Sequence, residues 1–588
     1  MKKILISAAM LLAMASQLQA QTMWDAITFS QNNYYGTART LAMGNAVSAI
    51  GGDLGAVAIN PAGGAVSNFS QFTFSTGLTT SSSSSAYASS YDSASESAVY
   101  MGDFRNSKTR MTVPNFGLNL CFETGERTGI KNWNLGFILN RSQTYTSIIG
   151  ASGSEGHTSI TGAMAAAAEG MPGDIIGDSG MFDSKYGWNS LCAYDGGLIN
   201  YNSDAGSYFG SAETVTLNGS KYEYKVLGWL KQRIGTTTLG SKQDIIINYG
   251  FNADDRFFFG ASLNCPVINY KYSEYFNETV DDPSDFPVTP EYWSTKSGAY
   301  VKGAPTNYLG STYEYSYVSD VSGLNLKVGA IWLPTDGLRL GAAIQTPTDY
   351  TIHEKWYVAV SSEFADASQS VNSNSPTAET TYSFRAPYSA NFGLAYTFGR
   401  SGLFSVDYEL TDFSIMRYSE ITDNEFYTYE DPFYRVNRLN KLFCGVQHSL
   451  RLGVEFRPLP FIALRGGINM VTSPEKYYMN TDGYVVYAST YDACFNQYET
   501  GTYKLAESSA GHVSDMLFSV SAGIGFVSAG SFYADLAFRN TSLPEQYYQP
   551  YNTYLNHNVG GKNYDIVSPS VKSTLSLFDA VLTFGWRF

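Results

Sequence analysis

The side chains that most often carry out chemistry are few in this chain and poorly grouped. The five histidines, His157, His353, His448, His512 and His557, are scattered, without the paired spacing that a metal or haem iron needs. The five cysteines, Cys121, Cys192, Cys265, Cys444 and Cys494, are odd in number and include no C-x-x-C pair, which argues against a zinc ribbon, a redox motif or a disulfide framework. Gly177-Asp178-Ser179-Gly180 could present a serine nucleophile. Such a serine needs a histidine base and an aspartate to orient it, and no G-x-S-x-G elbow, H-E-x-x-H pair or phosphate loop is present. The expectation is therefore a protein that is not an enzyme and holds no cofactor.

Charged residues recur in a different way. Lys327, Arg339, Asp407, Glu409, Arg451, Glu455, Arg465, Asp535 and Arg539 each alternate with apolar neighbours. The elements that would position them are strands. Phe578, Ala580, Leu582, Phe584, Trp586 and Phe588 share one face, opposite Asp579, Thr583, Gly585 and Arg587. Phe518, Val520, Ala522, Ile524 and Phe526 oppose Ser519, Ser521, Gly523 and Gly525, and Leu450, Leu452, Val454 and Phe456 oppose Arg451, Gly453, Glu455 and Arg457. Fourteen such segments begin near 71, 110, 131, 243, 256, 317, 336, 379, 401, 446, 461, 514, 530 and 571.

The connections distinguish a sandwich from a barrel. Tight turns at Asn252 to Asp255, Leu333 to Gly337, Phe398 to Gly402, Arg457 to Pro460 and Val527 to Gly530 alternate with long Tyr- and Ser-rich loops such as 273–316, 358–378, 421–445, 474–513 and 544–570. Short turns at one end and long loops at the other are the pattern of outer-membrane barrels. The expected fold class is all-β, a 14-stranded antiparallel transmembrane β-barrel with an N-terminal, partly helical hatch (plug) inside the lumen. The even count places both termini on the periplasmic side. Apolar faces meet lipid, the charged set faces the lumen, and Tyr270, Tyr272 and Tyr275 are expected as interfacial girdle residues.

Composition fits this reading. Charged residues are only 15% of the chain, aromatics also 15%, and the 55 glycines suit crowded lumen-facing positions. A net charge of −15 leaves no basic footprint for nucleic acid. Met1 to Lys3, the apolar run Ile4 to Ala15 and Leu18-Gln19-Ala20 read as an export signal over 1–20, cut before Gln21. The remaining chain divides into a hatch over 21–70 and a barrel over 71–588, whose largest loop is 150–242. Within the hatch, Ala38 to Ile50 and Asp53 to Ile59 are helix-like, with Asp53 as an N-cap, and Asn60-Pro61 ends the second piece. Trp24, Phe29, Leu41, Met43 and Ile50 give it apolar side chains to bury.

Ala38-Arg39-Thr40-Leu41-Ala42-Met43-Gly44-Asn45-Ala46, followed by Asn60-Pro61-Ala62-Gly63, resembles the N-terminal hatch of the FadL/TodX family of outer-membrane transporters for long-chain fatty acids and other hydrophobic compounds. The likeness continues at Leu338 to Ala343, Leu450 to Pro458, Leu464 to Gly467 and Gly523 to Phe526, and leaves 150–242 unmatched. Terminal Phe588 resembles the aromatic end by which such barrels are recognised for assembly. The resemblance implies passive uptake of hydrophobic molecules in the outer membrane of a Gram-negative bacterium, by loop capture, hatch rearrangement and lateral exit. It makes Arg39, Gly44, Asn60, Pro61, Ala62 and Gly63 hatch residues. The implied partners are hydrophobic small molecules, outer-membrane lipid and the barrel-assembly machinery.

Ala163 to Ala168, Met171, Ile175 and Ile176, together with Val226, Leu227, Leu230 and Ile234, have apolar residues at helix spacing, and are expected as short helices lining a capture groove. Two rival readings remain at this stage. Phe384-Arg385-Ala386-Pro387 resembles a tetrapeptide of haem receptors, which would make the chain a hemin-binding receptor. A general porin or surface-binding barrel would use the long loops instead.

Overall fold

The computed structural model describes residues 21–90, 98–177, 187–218, 221–421, 431–552, 554–555 and 565–588. Residues 1–20, expected as an export signal, most of the Gly177 to Gly180 turn and His557 lie outside the described residues. The barrel strands are β1 Gln71–Ala88, β2 Met101–Glu123, β3 Ile130–Thr144 continued by Ser147–Glu155, β4 Leu230–Ala253, β5 Phe257–Val280 and β6 Thr306–Trp332. They continue with β7 Leu338–Gln345 and Thr348–Phe364, β8 Ala378–Ala386 and Ser389–Thr397, and β9 Gly402–Asp412. The last five are β10 Val446–Leu459, β11 Ile462–Thr472, β12 Met516–Val527, β13 Phe532–Ser542 and β14 Ser570–Arg587.

Each strand pairs antiparallel with the next in sequence. β14 returns to β1 in an unbroken ladder from Gln71↔Arg587 to Ala88↔Ser570. The fourteen segments read from alternation are thus the fourteen strands, and the sheet closes on itself. Closure follows from the solvent: hydrocarbon offers backbone amides no partner, so a spanning sheet must satisfy its own edges.

The alternation sorts the two faces. On β12, Phe518, Val520, Ile524 and Phe526 point outward and are exposed, while Ser519 and Ser521 are buried. Lys327, Asp407, Glu409, Arg451, Glu455, Arg465, Asp535 and Arg539 are all buried inside the barrel, and Arg339 points inward toward the hatch backbone. Several strands far exceed the ~9–11 residues that cross a bilayer. β6, for example, has 27 residues, so the barrel wall continues well beyond the apolar band at the long-loop end.

That overhang corrects one expectation. Tyr270 is buried and packs edge-on against Phe29 from the N-terminal segment, 5.5 Å between ring centroids. Tyr272 lies against Tyr317 at 5.4 Å. Both are interior residues above the membrane and not girdle residues at the lipid boundary. They share inward phase with Ile268, which is also buried.

Candidate functional site

Residues 22–66 fill the lumen. They form three short helices, α1 Met23–Ser30, α2 Ala38–Ala42 and α3 Leu54–Val57, and a 3-10 turn over Pro61–Val66. The helix-like runs expected from sequence are shorter here: Gly44 and Asn45 adopt left-handed conformations that end the first after Ala42, and the second is helical only over Leu54–Val57. Asp53 caps α3 through the Gly55 amide at 2.7 Å, as expected. The same carboxylate oxygen accepts from Thr37 at 2.6 Å, and Thr37 caps α2, so one aspartate joins two helices.

The barrel wall grips this segment through its lumen-facing polar residues. Arg39 pairs with Glu455 at 3.2 Å, and Glu455 also takes Arg457 and Arg465 at 2.7 Å each. Ser48 donates its amide to Asp407 at 2.7 Å. Lys327 donates to the Ala58 carbonyl at 2.5 Å and Arg339 to that of Ile50 at 2.6 Å. Asn60 accepts from the Ala62 amide at 3.0 Å while its amide nitrogen donates to Ser48 O at 2.7 Å, and Asn248 donates to Pro61 O at 3.1 Å. Charge-assisted donors aimed at backbone carbonyls are strong, and they satisfy hatch groups that no regular element pairs. Close approach explains two glycines: a Cβ on Gly44 would stand 2.7 Å from Ile468 N, and one on Gly467 would stand 2.1 Å from Gly44 N. Ala62 is buried against Phe258 and Ile331, and Gly63 O accepts from Gly52 N at 2.9 Å.

Above the hatch sits α1, which reaches far up the lumen. Its Met23, Ala26, Ile27 and Phe29 join one apolar cluster with Leu191, Val358, Val360 and Phe443 of the long-loop cap. Tyr418 donates to Thr22 O at 3.1 Å, Lys242 to Phe29 O at 3.0 Å, and Tyr317 to Asp25 at 2.9 Å. The axial path is closed tightly: the polar cavity between hatch and wall, lined by Tyr34, Lys242 and Lys327, is about 10 Å³, the space of one water.

Two carboxyls near α1 lie outside the membrane-spanning segments. Burial pushes Asp25 up to about 6, against the opposing hydrogen bonds from Thr22 and Tyr317. Burial likewise pushes Glu354 up to about 7, opposed by Tyr382, with Asp25 adding to the rise. Groups raised in the folded state favour the protonated form, so their contribution is complete at low pH and is lost as pH climbs through about 6 and 7. At about 1.4 kcal/mol per pH unit the loosening amounts to a few kcal/mol. Amide protection factors in α1, corrected for the base-catalysed intrinsic rate, are expected to be higher at pH 5 than at pH 8, and Asp25→Asn should flatten that dependence.

Among the described residues the ladder of the wall parts along a seam between β2 and β3. The β2–β3 ladder stops at Asn115↔Asn140. Beyond it β2 pairs only with β1 as far as Met101, while the freed edge of β3 first takes hatch amides, Asn33 donating to Ser142 O at 2.7 Å and Tyr35 to Arg141 O at 2.8 Å, then breaks at Tyr145 and Thr146 and resumes at Ser147 in a ladder with β4. The two edges overlap instead of joining: Tyr87 of β1 donates to Gln232 of β4 at 2.7 Å, and Ser83 donates to Ile148 O. Between them lies a cleft of about 300 Å³ lined by Phe104, Asn106, Ala151, Ser152, Arg233 and Ile234. The seam begins within the apolar band, since Asn115 is level with Ser75, between outward-facing Phe74 and Leu78.

The expected capture groove takes a different form. Val226 and Leu227 lie outside helix, and Leu230 and Ile234 belong to strand β4. Leu230 is buried with Phe286 and Tyr308 in the cap, Leu227 is exposed, and of the four only Ile234 borders the cleft. A spacing of four residues puts two side chains on one face in a helix and in a strand alike. Ala163 to Ala167 do lie in a helix, Ile160–Ala167, but its Ile160 and Ala165 are packed into the cap core. The seam residues were not anticipated. Pro114 beside Asn115, where β2 carries a register shift, was the available signal.

Phe384 is buried against Tyr418, and Arg385 pairs with Asp349 at 2.6 Å on the outside. His353 and His448 sit on separate strands, bonded to Thr381 and Tyr408 at 2.9 and 2.7 Å. Phe588 exchanges backbone hydrogen bonds with Ser70 at 2.9 and 3.0 Å, completing the short-turn end of the barrel.

No family model matches this chain, and no curated relative does. Among solved structures it is similar to a Pseudomonas aeruginosa FadL homologue, 12% identical, over 94% of this chain and 98% of that one, with a TM-score of 0.44. It is also similar to the Pseudomonas putida toluene transporter TodX, 12% identical over 95% and 99% with a TM-score of 0.40. The CymD monoaromatic hydrocarbon channel is 10% identical over 94% and 97%, TM-score 0.40. The closed barrel is established by its own strand pairing, independently of these likenesses.

Proposed function

We propose that this chain is an outer-membrane channel for passive uptake of hydrophobic small molecules in a Gram-negative bacterium, with its exit sideways through the seam. The observation that carries this reading is the break in the β2–β3 ladder at Asn115↔Asn140, inside the apolar band. Backbone that leaves the ladder at membrane depth must be met by other protein or line a cavity, and hatch amides of Asn33 and Tyr35 meet the β3 carbonyls at the base of the seam. Here the seam rises from the apolar band and opens, above it, into a cleft with apolar Phe104, Ala151 and Ile234. An apolar solute that moves from the cleft down the seam to Asn115, inside the apolar band, passes there into hydrocarbon, whereas the axial route is filled by hatch, α1 and cap. Arg39, Gly44, Asn60, Pro61, Ala62 and Gly63 hold the hatch in its closed seat.

In this orientation the long loops face outward, the short turns and Phe588 face the periplasm, and Phe588 serves as the assembly signal. The cut before Gln21 would leave the mature N-terminus inside the lumen, above the hatch, although the chain enters β1 from the periplasmic end. A steady open pore is disfavoured by the filled lumen, and a hemin site by the separation of the histidines. The test is mass spectrometry of small molecules extracted from the barrel purified in mild detergent, joined to uptake by cells producing the full chain. Recovery of apolar solutes and chain-dependent uptake are expected. Saturable Soret absorbance on hemin titration, without apolar cargo, would replace this reading with haem binding.

A further inference from the structure

We propose that Gln21, made the first residue by the cut after Ala20, closes to pyroglutamate, and that this neutral lactam is the form in which α1 seats in the cap. The chemistry needs only the residue itself. The α-amino nitrogen attacks the side-chain Cδ and closes a five-membered ring, as intramolecular reactions of well-placed groups do readily. One C–N bond forms, the bond from Cδ to the side-chain amide nitrogen breaks, and ammonia leaves with a proton from the amine. No oxidant or co-reactant is consumed, and the chain loses the positive charge of its terminus.

The place where this terminus lies favours the lactam. Gln21 is 9% exposed, and among the described residues its side-chain oxygen is buried without a hydrogen-bond partner. Thr22 follows as the N-cap of α1, and Met23, fully buried, begins the helix. An α-amino group here, charged below about pH 8, would put a cation in the interior at the helix end that disfavours positive charge. The carboxyls close to α1 are poorly placed to offset it. Asp25 takes the Thr22 amide at 3.1 Å and hydroxyl at 2.6 Å on one oxygen, and Tyr317 at 2.9 Å on the other. Glu354 accepts from Tyr382 at 2.9 Å and keeps its second oxygen without a partner among the described residues, but burial holds this carboxyl toward its neutral form. Cyclisation removes the charge, ties the unpartnered side chain into a ring, and leaves the capping box of Thr22 and Asp25 intact.

The inference rests on the cut proposed above and not on transport. The test is mass spectrometry of the N-terminal peptide of the full chain, taken from the envelope of producing cells and treated with an amine-reactive label before digestion. A peptide that begins at residue 21, is lighter by one ammonia and carries no label at its terminus is expected. A synthetic peptide of residues 21–30, carried through the same handling, reports cyclisation in the tube and should stay mostly open. An open, labelled Gln21, or a cyclised share no larger than that of the synthetic peptide, overturns the proposal. So does a chain that begins at any other residue, which removes the cut as well. The seating is read separately in Gln21→Ala, which keeps its ammonium: amide protection factors in α1 at pH 7 should fall about 10-fold, as for one unfavourable charge at a partly buried helix start. Unchanged protection in that variant overturns the part of the lactam in seating α1. Lost uptake with Gln21 cyclised counts against the transport reading alone.

Discussion

Oxidising an Asn106→Cys/Gly150→Cys variant should stop uptake of a hydrophobic solute, and reducing it should restore uptake. The Asn106 amide nitrogen, at the end of its side chain, lies 3.3 Å from where a Cβ on Gly150 would stand, so side chains at the two positions meet across the cleft. The bridge would tie the β2 edge to the β3 continuation across the cleft, where no ladder hydrogen bond joins them. If solute leaves by this seam, the passage must open before each crossing, and locking it should lower uptake more than ~10-fold, as for other gated steps. The five native cysteines are free, and the half-buried Cys121 and Cys265 are best replaced by serine to avoid mispairing. Uptake that persists unchanged in the oxidised, fully bridged protein would exclude the seam as the exit. Because the bond forms in an assembled barrel, recovery on reduction separates blockage from misfolding.

The parts of this mechanism differ in how plainly the sequence carries them. Strand number, turn positions and the inward phase of Asp407, Arg451 or Asp535 follow from period-two alternation, which in a barrel of this kind has lipid on one side and the lumen on the other. Tyr270 and Leu230 were misplaced for a shared reason. Strands here run far past the bilayer, so a tyrosine near a presumed strand end can still be an interior residue, and apolar residues in a presumed loop can still be strand. Parity would have placed Tyr270, since it is in phase with buried Ile268. The reach of α1 into the cap depends on contacts between Phe29 and Tyr270, or Asp25 and Tyr317, separated by hundreds of residues, and no local pattern encodes such pairs. The seam is equally non-local. It is the absence of pairing between two segments, each of which alternates normally along its length.

Glu455→Gln should have the largest effect on the hatch. The carboxylate receives Arg39 from the hatch at 3.2 Å and Arg465 and Arg457 from the wall at 2.7 Å each. Its loss leaves buried guanidinium groups without their shared anion, and removing one partner of a buried ion pair costs about 3–5 kcal/mol. Arg465 keeps Asp535 at 2.5 Å, so the wall side retains compensation, whereas Arg39 has no second carboxylate at ion-pair distance among the described residues. The cost should therefore fall on the seat of the hatch. The strand ladder, whose backbone hydrogen bonds do not involve Glu455's side chain, should hold. Amide exchange at Thr40 to Met43 is expected to accelerate about 10²–10⁴-fold on that energy, while exchange in β12 and β13 stays slow. Bursts of ion conductance in planar bilayers should appear as the hatch leaves its seat. Arg39→Gln makes the opposite deletion: Glu455 keeps two arginines, no buried charge is stranded, and the effect should be much smaller. A larger effect from Arg39→Gln than from Glu455→Gln would mean that the arginine's own packing against the wall, and not the shared carboxylate, keeps the lumen shut.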